Sequence, residues 1–216
     1  MRRLTTTLLL LTLASPVAFA DTGRLKEATA VLQEMAGAFD AGIPTDLLKK
    51  AECVVVIPGV KKGAIGFGGQ YGRGYMACRA KGGWSAPSGM RIEGGSVGFQ
   101  IGASSTDVIL LVMSGRGVDK LLGSKFTVGA DAAVAAGPLG RQASAQTDAT
   151  MHAEMLAWSR SRGVFAGISL QGSTLRTDGE ENQELYGKEL SAREVVRGAV
   201  APPSAASALM AALGKY

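Results

Sequence analysis

The run from Gly59 to Gly117, GVKKGAIGFGGQYGRGYMACRAKGGWSAPSGMRIEGGSVGFQIGASSTDVILLVMSGRG, decides the fold. With the residues just before it, it contains five strand-forming runs: CVVVIPGV from Cys53, AIGFGGQYG from Ala64, GYMACRA from Gly74, SVGFQIGA from Ser96 and DVILLVMS from Asp107. An isolated glycine in such a run marks a bulge, a sharp bend or a close approach of two backbones. So many in succession predict a tightly coiled antiparallel sheet. A flexible linker would be Ser-rich and polar, without the intervening Val, Ile, Phe and Tyr. Turns are expected at Pro58-Gly59, Gly72-Arg73-Gly74, Lys81-Gly82-Gly83 and Gly94-Gly95. Asp107 to Ser114 is apolar without alternation, as in a strand covered on both faces.

Outward from this core, the chain turns helical. Leu25, Ala28, Leu32, Met35 and Phe39 recur at steps of three and four from residue 22 to residue 40, with Val31 and Ala36 widening the stripe. The opposite side carries Arg24, Lys26, Glu27, Gln33 and Glu34. Two readings stand: a surface helix burying its stripe against the sheet, or an amphipathic helix that also lies in a membrane interface. Thr45 is expected to cap a short helix to Ala51. Asp148 is expected to cap a helix to Gly163, with Met151, Met155, Leu156 and Trp158 on its buried side. GVFAGISLQG (163–172) and STLRTD (173–178) read as strands, and the acidic segment 178–184 as a solvated turn. Ser191 and Glu194 form a capping-box pattern. The Ala-rich tail after Pro203 reads as a final, loosely attached helix. The fold class is α+β: a strongly bent, Gly-rich antiparallel sheet, barrel- or sandwich-like, with an N-terminal amphipathic helix and further helices packed on it.

Arg2 and Arg3, the apolar run Leu4 to Leu13 and Ala18-Phe19-Ala20 together read as a secretory signal peptide cleaved after Ala20. The apolar run is too short to span a bilayer. The expected organisation is a signal peptide (1–20), a single domain (21–200) and the helical tail (201–216), with the protein periplasmic or secreted. The exported part holds both cysteines, Cys53 and Cys78, and an oxidising compartment favours a disulfide between them. It is expected to staple two strands.

The composition offers little catalytic chemistry. His152 is the only histidine, so clustered-histidine metal sites are excluded and a nucleophile–base pair has no other imidazole to use. The acidic segment lacks the spacing of a calcium loop, and neither phosphate-loop glycine signature occurs. No catalytic residue, metal or cofactor is assigned, and the chain reads as a binding protein rather than an enzyme. Charge supplies the lead. Between residues 49 and 91 lie Lys49, Lys50, Lys61, Lys62, Arg73, Arg79, Lys81 and Arg91, with Glu52 the only acid. Tyr71, Tyr75 and Trp84 lie among them. Basic turns with aromatic rings suit phospholipid headgroups or nucleic acid, and export argues against nucleic acid. Ordinary solubilising charge is the alternative.

Ordered blocks then make the sequence recognisable. They are Ala64 to Gly74, Trp84 to Pro87, Gly94 to Ala103, Thr106-Asp107, Gly129 to Asp131, Ala135 to Pro138, Trp158 to Gly163, Phe165 to Gly172, Asn182 and Tyr186-Gly187. Across Leu25 to Val196 the chain resembles the SYLF family, which includes the yeast-type actin-binding domain, and looks like an exported, bacterial-type member. The resemblance implies a lipid-binding module, with phosphoinositides and actin as ligands of eukaryotic relatives. For an exported chain it implies anionic phospholipid of the envelope, with actin binding unlikely. The lipid-binding candidates are Arg24, Lys26, Lys49, Lys50, Lys61, Lys62, Arg73, Arg79, Lys81 and Trp84. The membrane-contact candidates on the first helix are Leu25, Val31, Leu32, Met35 and Phe39. The alternative function is a structural or protein-interaction module of the envelope without a specific lipid ligand.

Overall fold

The computed structural model describes residues 22–38, 42–123, 125–131, 133–138, 153–161, 164–165, 170, 172–198 and 200–216. The expected signal peptide, Phe39 and His152 lie outside the described residues.

Two very long strands stand where five short runs were read. Strand β1 is Cys53–Ala80 and strand β3 is Ser88–Val112. They pair antiparallel from Cys53 opposite Val112 to Met76 opposite Ser88. Between them the two-residue strand β2 (Gly83–Trp84) folds back on the end of β1 around Gly82, whose φ is +93°. The ribbon is bent double, so the two ends of β1 meet: Arg79 N–H donates to the Glu52 carbonyl at 2.7 Å. The Cys53–Cys78 disulfide closes the same point. It therefore staples the ends of one strand, not two separate strands.

This bending corrects the expected turns at Gly72–Gly74 and Gly94-Gly95, which lie inside continuous strands. A Cβ placed on Gly74 would sit 2.0 Å from the Val56 carbonyl oxygen and 2.7 Å from Ile57 Cα. Glycine here permits one half of the ribbon to press on the other. At Pro58-Gly59 the register slips, and the Gly59 N–H donates to Asp107 Oδ1 at 2.9 Å, fixing the bulge.

The outer edge of β3 would leave buried backbone groups unpaired. Strand β6 (Met155–Ser161) satisfies them over residues 107–112, and strand β8 (Thr174–Thr177) does so over residues 90–93. The helix expected over 148–163 is thus corrected to a strand for its described part. Its apolar residues fitted either period, and the open edge of β3 decides between them. Trp158 packs there with its indole N–H donated to the Pro138 carbonyl. Strand β4 (Phe126–Thr127) pairs with β8, strand β5 (Val134–Ala136) runs parallel to β6, and strand β7 (Val164–Phe165) pairs with β6. The result is an α+β half-barrel, antiparallel except at β5–β6.

Both faces of β3 over residues 107–112 are covered, as the lack of alternation there implied. Val55, Ile57, Met76, Met90, Ile92, Leu110, Phe126 and Leu175 fill the inside of the curl. Val54, Val56, Tyr75, Ile109 and Leu111 face a second core built with helices. Helix α1 (Thr22–Gly37) buries Leu25, Ala28, Val31, Leu32 and Met35 in that second core. Each large side chain so buried stabilises by roughly 1.5–3 kcal/mol. Helix α2 (Thr45–Lys50) follows, with Pro44 at the N-cap position and no side-chain cap bond, so Thr45 is the first helical residue rather than the cap. Helix α3 (Gly115–Leu121) is capped by Ser114. The acidic segment is not a solvated turn. It is helix α4 (Gly179–Tyr186), N-capped by Asp178 and ended by Gly187 at φ +68°. Helix α5 (Ala192–Arg197) carries the full capping box of Ser191 and Glu194. The tail forms a 3-10 turn (Ser204–Ala206) and helix α6 (Ser207–Leu213), whose Leu209 and Leu213 join the core beside α1. No helix among the described residues is long and apolar enough to cross a membrane.

Candidate functional surface

The structure divides the candidate cations into two groups. Arg24, Arg73 and Arg79 are committed inside the fold. Arg73 grips the fully buried Asp178 with two hydrogen bonds, Nε to Oδ2 at 2.6 Å and a terminal nitrogen to Oδ1 at 3.0 Å, and reaches Glu180 at 3.1 Å. Arg24 donates to Glu181, whose other oxygen accepts from the Tyr75 hydroxyl. Asn182 completes the cluster. Its Oδ1 accepts from the Gly89 N–H at 2.7 Å and the Ser88 hydroxyl, and its amide donates to the Leu190 carbonyl. This network locks α1 and α4 to the ribbon.

Its electrostatics follow from the partners. Burial alone would raise the Asp178 pKa. The Arg73 hydrogen bonds and the Glu181 N–H outweigh it and hold the carboxyl below the ordinary carboxylate range. The hydrogen bond to Asp178 in turn raises the Arg73 pKa. Burial, reinforced by the hydrogen bond to Glu181, raises the Tyr75 pKa and keeps the phenol neutral. Glycine enters again at Gly89, where a Cβ would lie 2.6 Å from Glu181 Cβ and 2.8 Å from the Asp178 carbonyl oxygen.

Arg79 performs a different structural task. It donates to the carbonyls of Leu48, Lys49 and Ala51 at 3.0–3.2 Å, satisfying the C-terminal end of α2, and to Tyr216. Its guanidinium carbon lies 3.9 Å from the centroid of Trp84. Desolvation lowers its pKa.

Lys26, Lys49, Lys50, Lys61, Lys62 and Lys81 form the second group. All six are exposed, and none has an ion-pair partner among the described residues. Lys61 and Lys62 lie in the exposed middle of the ribbon, opposite Ser105 and Ser104, with the Lys61 ammonium 3.1 Å from the Ser105 hydroxyl. Lys49, Lys50 and Lys81 gather at the closed end, where Arg79 ties α2 to β1. Lys26 stands on the outer face of α1. The structure thus sets these lysines at three places: the ribbon, the closed end and the outer face of α1. Leu25, Val31, Leu32 and Met35 are core residues here, 5% exposed or less, so the stripe of α1 faces the sheet in this conformation.

Sequence reasoning missed the buried network. Its signal was present: Asp178 stands three residues before Glu181 and seven before Leu185, an N-cap pattern opening an apolar turn.

Comparison with known proteins shows the family. Residues 93–216, more than half of the chain, match the family described as Ysc84, Las17-binding protein actin regulator. The chain belongs to the Ysc84 (SYLF) family. It is 36% identical over 180 residues to LAS seventeen-binding protein 3 of Saccharomyces cerevisiae, covering 81% of this chain and 39% of that protein. An SH3 domain-containing protein of Schizosaccharomyces pombe is 38% identical over 172 residues, covering 77% of this chain and 40% of its own. SH3 domain-containing YSC84-like protein 1 of Rattus norvegicus is 33% identical over 179 residues, covering 82% and 52%. The chain therefore spans about two-fifths to half of the length of these curated relatives. None of the three carries an enzyme's name.

Proposed function

We propose that the protein is an exported, non-enzymatic phospholipid-binding protein of the cell envelope, which docks on anionic membrane surfaces through the exposed lysines of the SYLF domain. The observation that carries this reading is the division of the cations. Arg24, Arg73 and Arg79 are spent on internal carboxylates and carbonyls, whereas six lysines stand exposed without an ion-pair partner among the described residues. Near an anionic bilayer each such charge contributes about 1 kcal/mol, and the attraction falls away within a Debye length. The export signal read from Arg2 to Ala20 and the disulfide both fit an oxidising compartment outside the cytoplasm. Docking in this conformation uses the lysines. The apolar stripe of α1 takes part only if the helix leaves the core.

The test is co-sedimentation of the mature protein with phosphatidylglycerol vesicles and with phosphatidylcholine vesicles. Binding to the first alone, weakened by added salt, is expected. Absence of binding to phosphatidylglycerol at low salt overturns the reading.

The family description favours a second reading, a protein-interaction module. Under it, cross-linking in envelope extracts yields one dominant protein partner, and capture is indifferent to Lys61→Glu/Lys62→Glu and to lipid.

A further inference from the structure

A cleft of about 770 Å³ opens where the two ends of β1 meet. That volume lies within the range of small-molecule sites, which pair apolar walls with a few polar groups. The apolar lining comes from the disulfide, Val118 of α3, Val196 of α5 and the Val200–Pro202 segment beyond it. Three cations also line it, Arg79, Lys81 and Arg197, against one carboxylate, Glu52. Arg197 is neutralised by Asp119 at 2.7 Å. Arg79 donates to carbonyls at the end of α2 and to Tyr216 and feels the charge of Glu52, whereas the exposed Lys81 has no ion-pair partner among the described residues.

Trp84 adds an aromatic wall. Its ring lies under Arg79 and lines the cleft, and its buried indole N–H has no hydrogen-bond partner among the described residues.

We infer that this cleft binds a small anionic amphiphile, a carboxylate or phosphate carried on a single alkyl chain. The apolar lining takes the methylene groups. Lys81 and Arg79 supply the field for the head, and the Trp84 ring supplies a flat wall beside it. An inorganic anion leaves the apolar lining wet, and a neutral amphiphile leaves the cations unused. The inference shares Lys81 with the membrane-docking reading but is tested apart from it, because Lys61 and Lys62 lie eight or nine residues along β1 from Cys53, roughly 26–30 Å of extended strand.

Calorimetric titration of the mature protein with decanoate and with decyl phosphate, below their micellar concentrations, tests it. Saturable one-to-one binding of at least one probe is expected, with decyl maltoside, acetate and inorganic phosphate at least tenfold weaker. Lys81→Glu and the cleft-filling Val200→Trp should each weaken binding at least tenfold while circular dichroism and the melting temperature stay near wild type. Lys81 is exposed, so its variant remains informative if Val200→Trp fails to fold. Lys61→Glu/Lys62→Glu should bind the probe like wild type. No saturable binding to either probe overturns the inference, as does binding untouched by Lys81→Glu or matched by the neutral amphiphile. Loss of vesicle binding with probe binding retained counts against the membrane-docking reading alone.

Discussion

Asp178 and Glu181 show how much a single carboxylate carries in this protein. Both are 1% exposed or less, and each answers an arginine from another element, Arg73 on β1 and Arg24 on α1. Removing one member of a buried ion pair strands the other charge, at a cost of about 3–5 kcal/mol. Glu181→Ala is expected to lose stability in that range by urea unfolding, and a loss below about 1 kcal/mol contradicts the role assigned to the network. Asp178 adds a pH signature. Its native pKa is depressed, so its stabilisation is present above the ordinary carboxylate pKa of about 3.9 and is lost as the pH falls through the native value. The stability gap between wild type and Asp178→Asn should be full at pH 7 and should narrow below about pH 4. A gap unchanged at pH 3 contradicts the pairing. These residues were hard to read from sequence because Asp178-Gly-Glu-Glu has the composition of a solvated turn. Only the long-range arrival of Arg24, Arg73 and Tyr75 makes it a buried helix start.

At the scale of elements, the long ribbon explains its own glycines. Gly74 lets the ribbon double over, whereas a Cβ on Gly63 meets nothing within 4 Å. Gly74→Ala forces backbone against backbone and is expected to destabilise by about 2–4 kcal/mol, while Gly63→Ala stays within about 1 kcal/mol. Equal effects at the two positions, measured by thermal unfolding, contradict the account of the bend. Cys53→Ser/Cys78→Ser opens the closure of β1 and should remove on the order of 3 kcal/mol, lowering the urea midpoint. The β core, the burial of DVILLVMS on both faces, the first helix and the Ser191 capping box were all legible, because each depends on local pattern. The length of β1 and β3 was not. Gly72, Gly74, Gly94 and Gly95 punctuate a sequence alike whether they make turns or allow close packing. The edge of β3 that draws Met155–Ser161 into the sheet is likewise a tertiary fact, invisible to a window that reads period alone.

For the whole molecule, the SYLF half-barrel separates its charges by function. Arg24, Arg73 and Arg79 are turned inward to join elements, and Lys26, Lys49, Lys50, Lys61, Lys62 and Lys81 are turned outward on the ribbon, the end of α2 and the outer face of α1. Sequence listed both kinds as one basic surface, because it cannot show which cations have already found carboxylates within the fold. The account therefore rests on the exposed lysines, and the affinity of the mature protein for phosphatidylglycerol vesicles, with and without Lys61→Glu/Lys62→Glu, measures their part most directly. Two lysines at about 1 kcal/mol each imply at least a tenfold loss of affinity at low salt, with a shallower salt dependence and an unchanged melting temperature. Equal affinity of the folded variant and wild type would contradict docking through the ribbon.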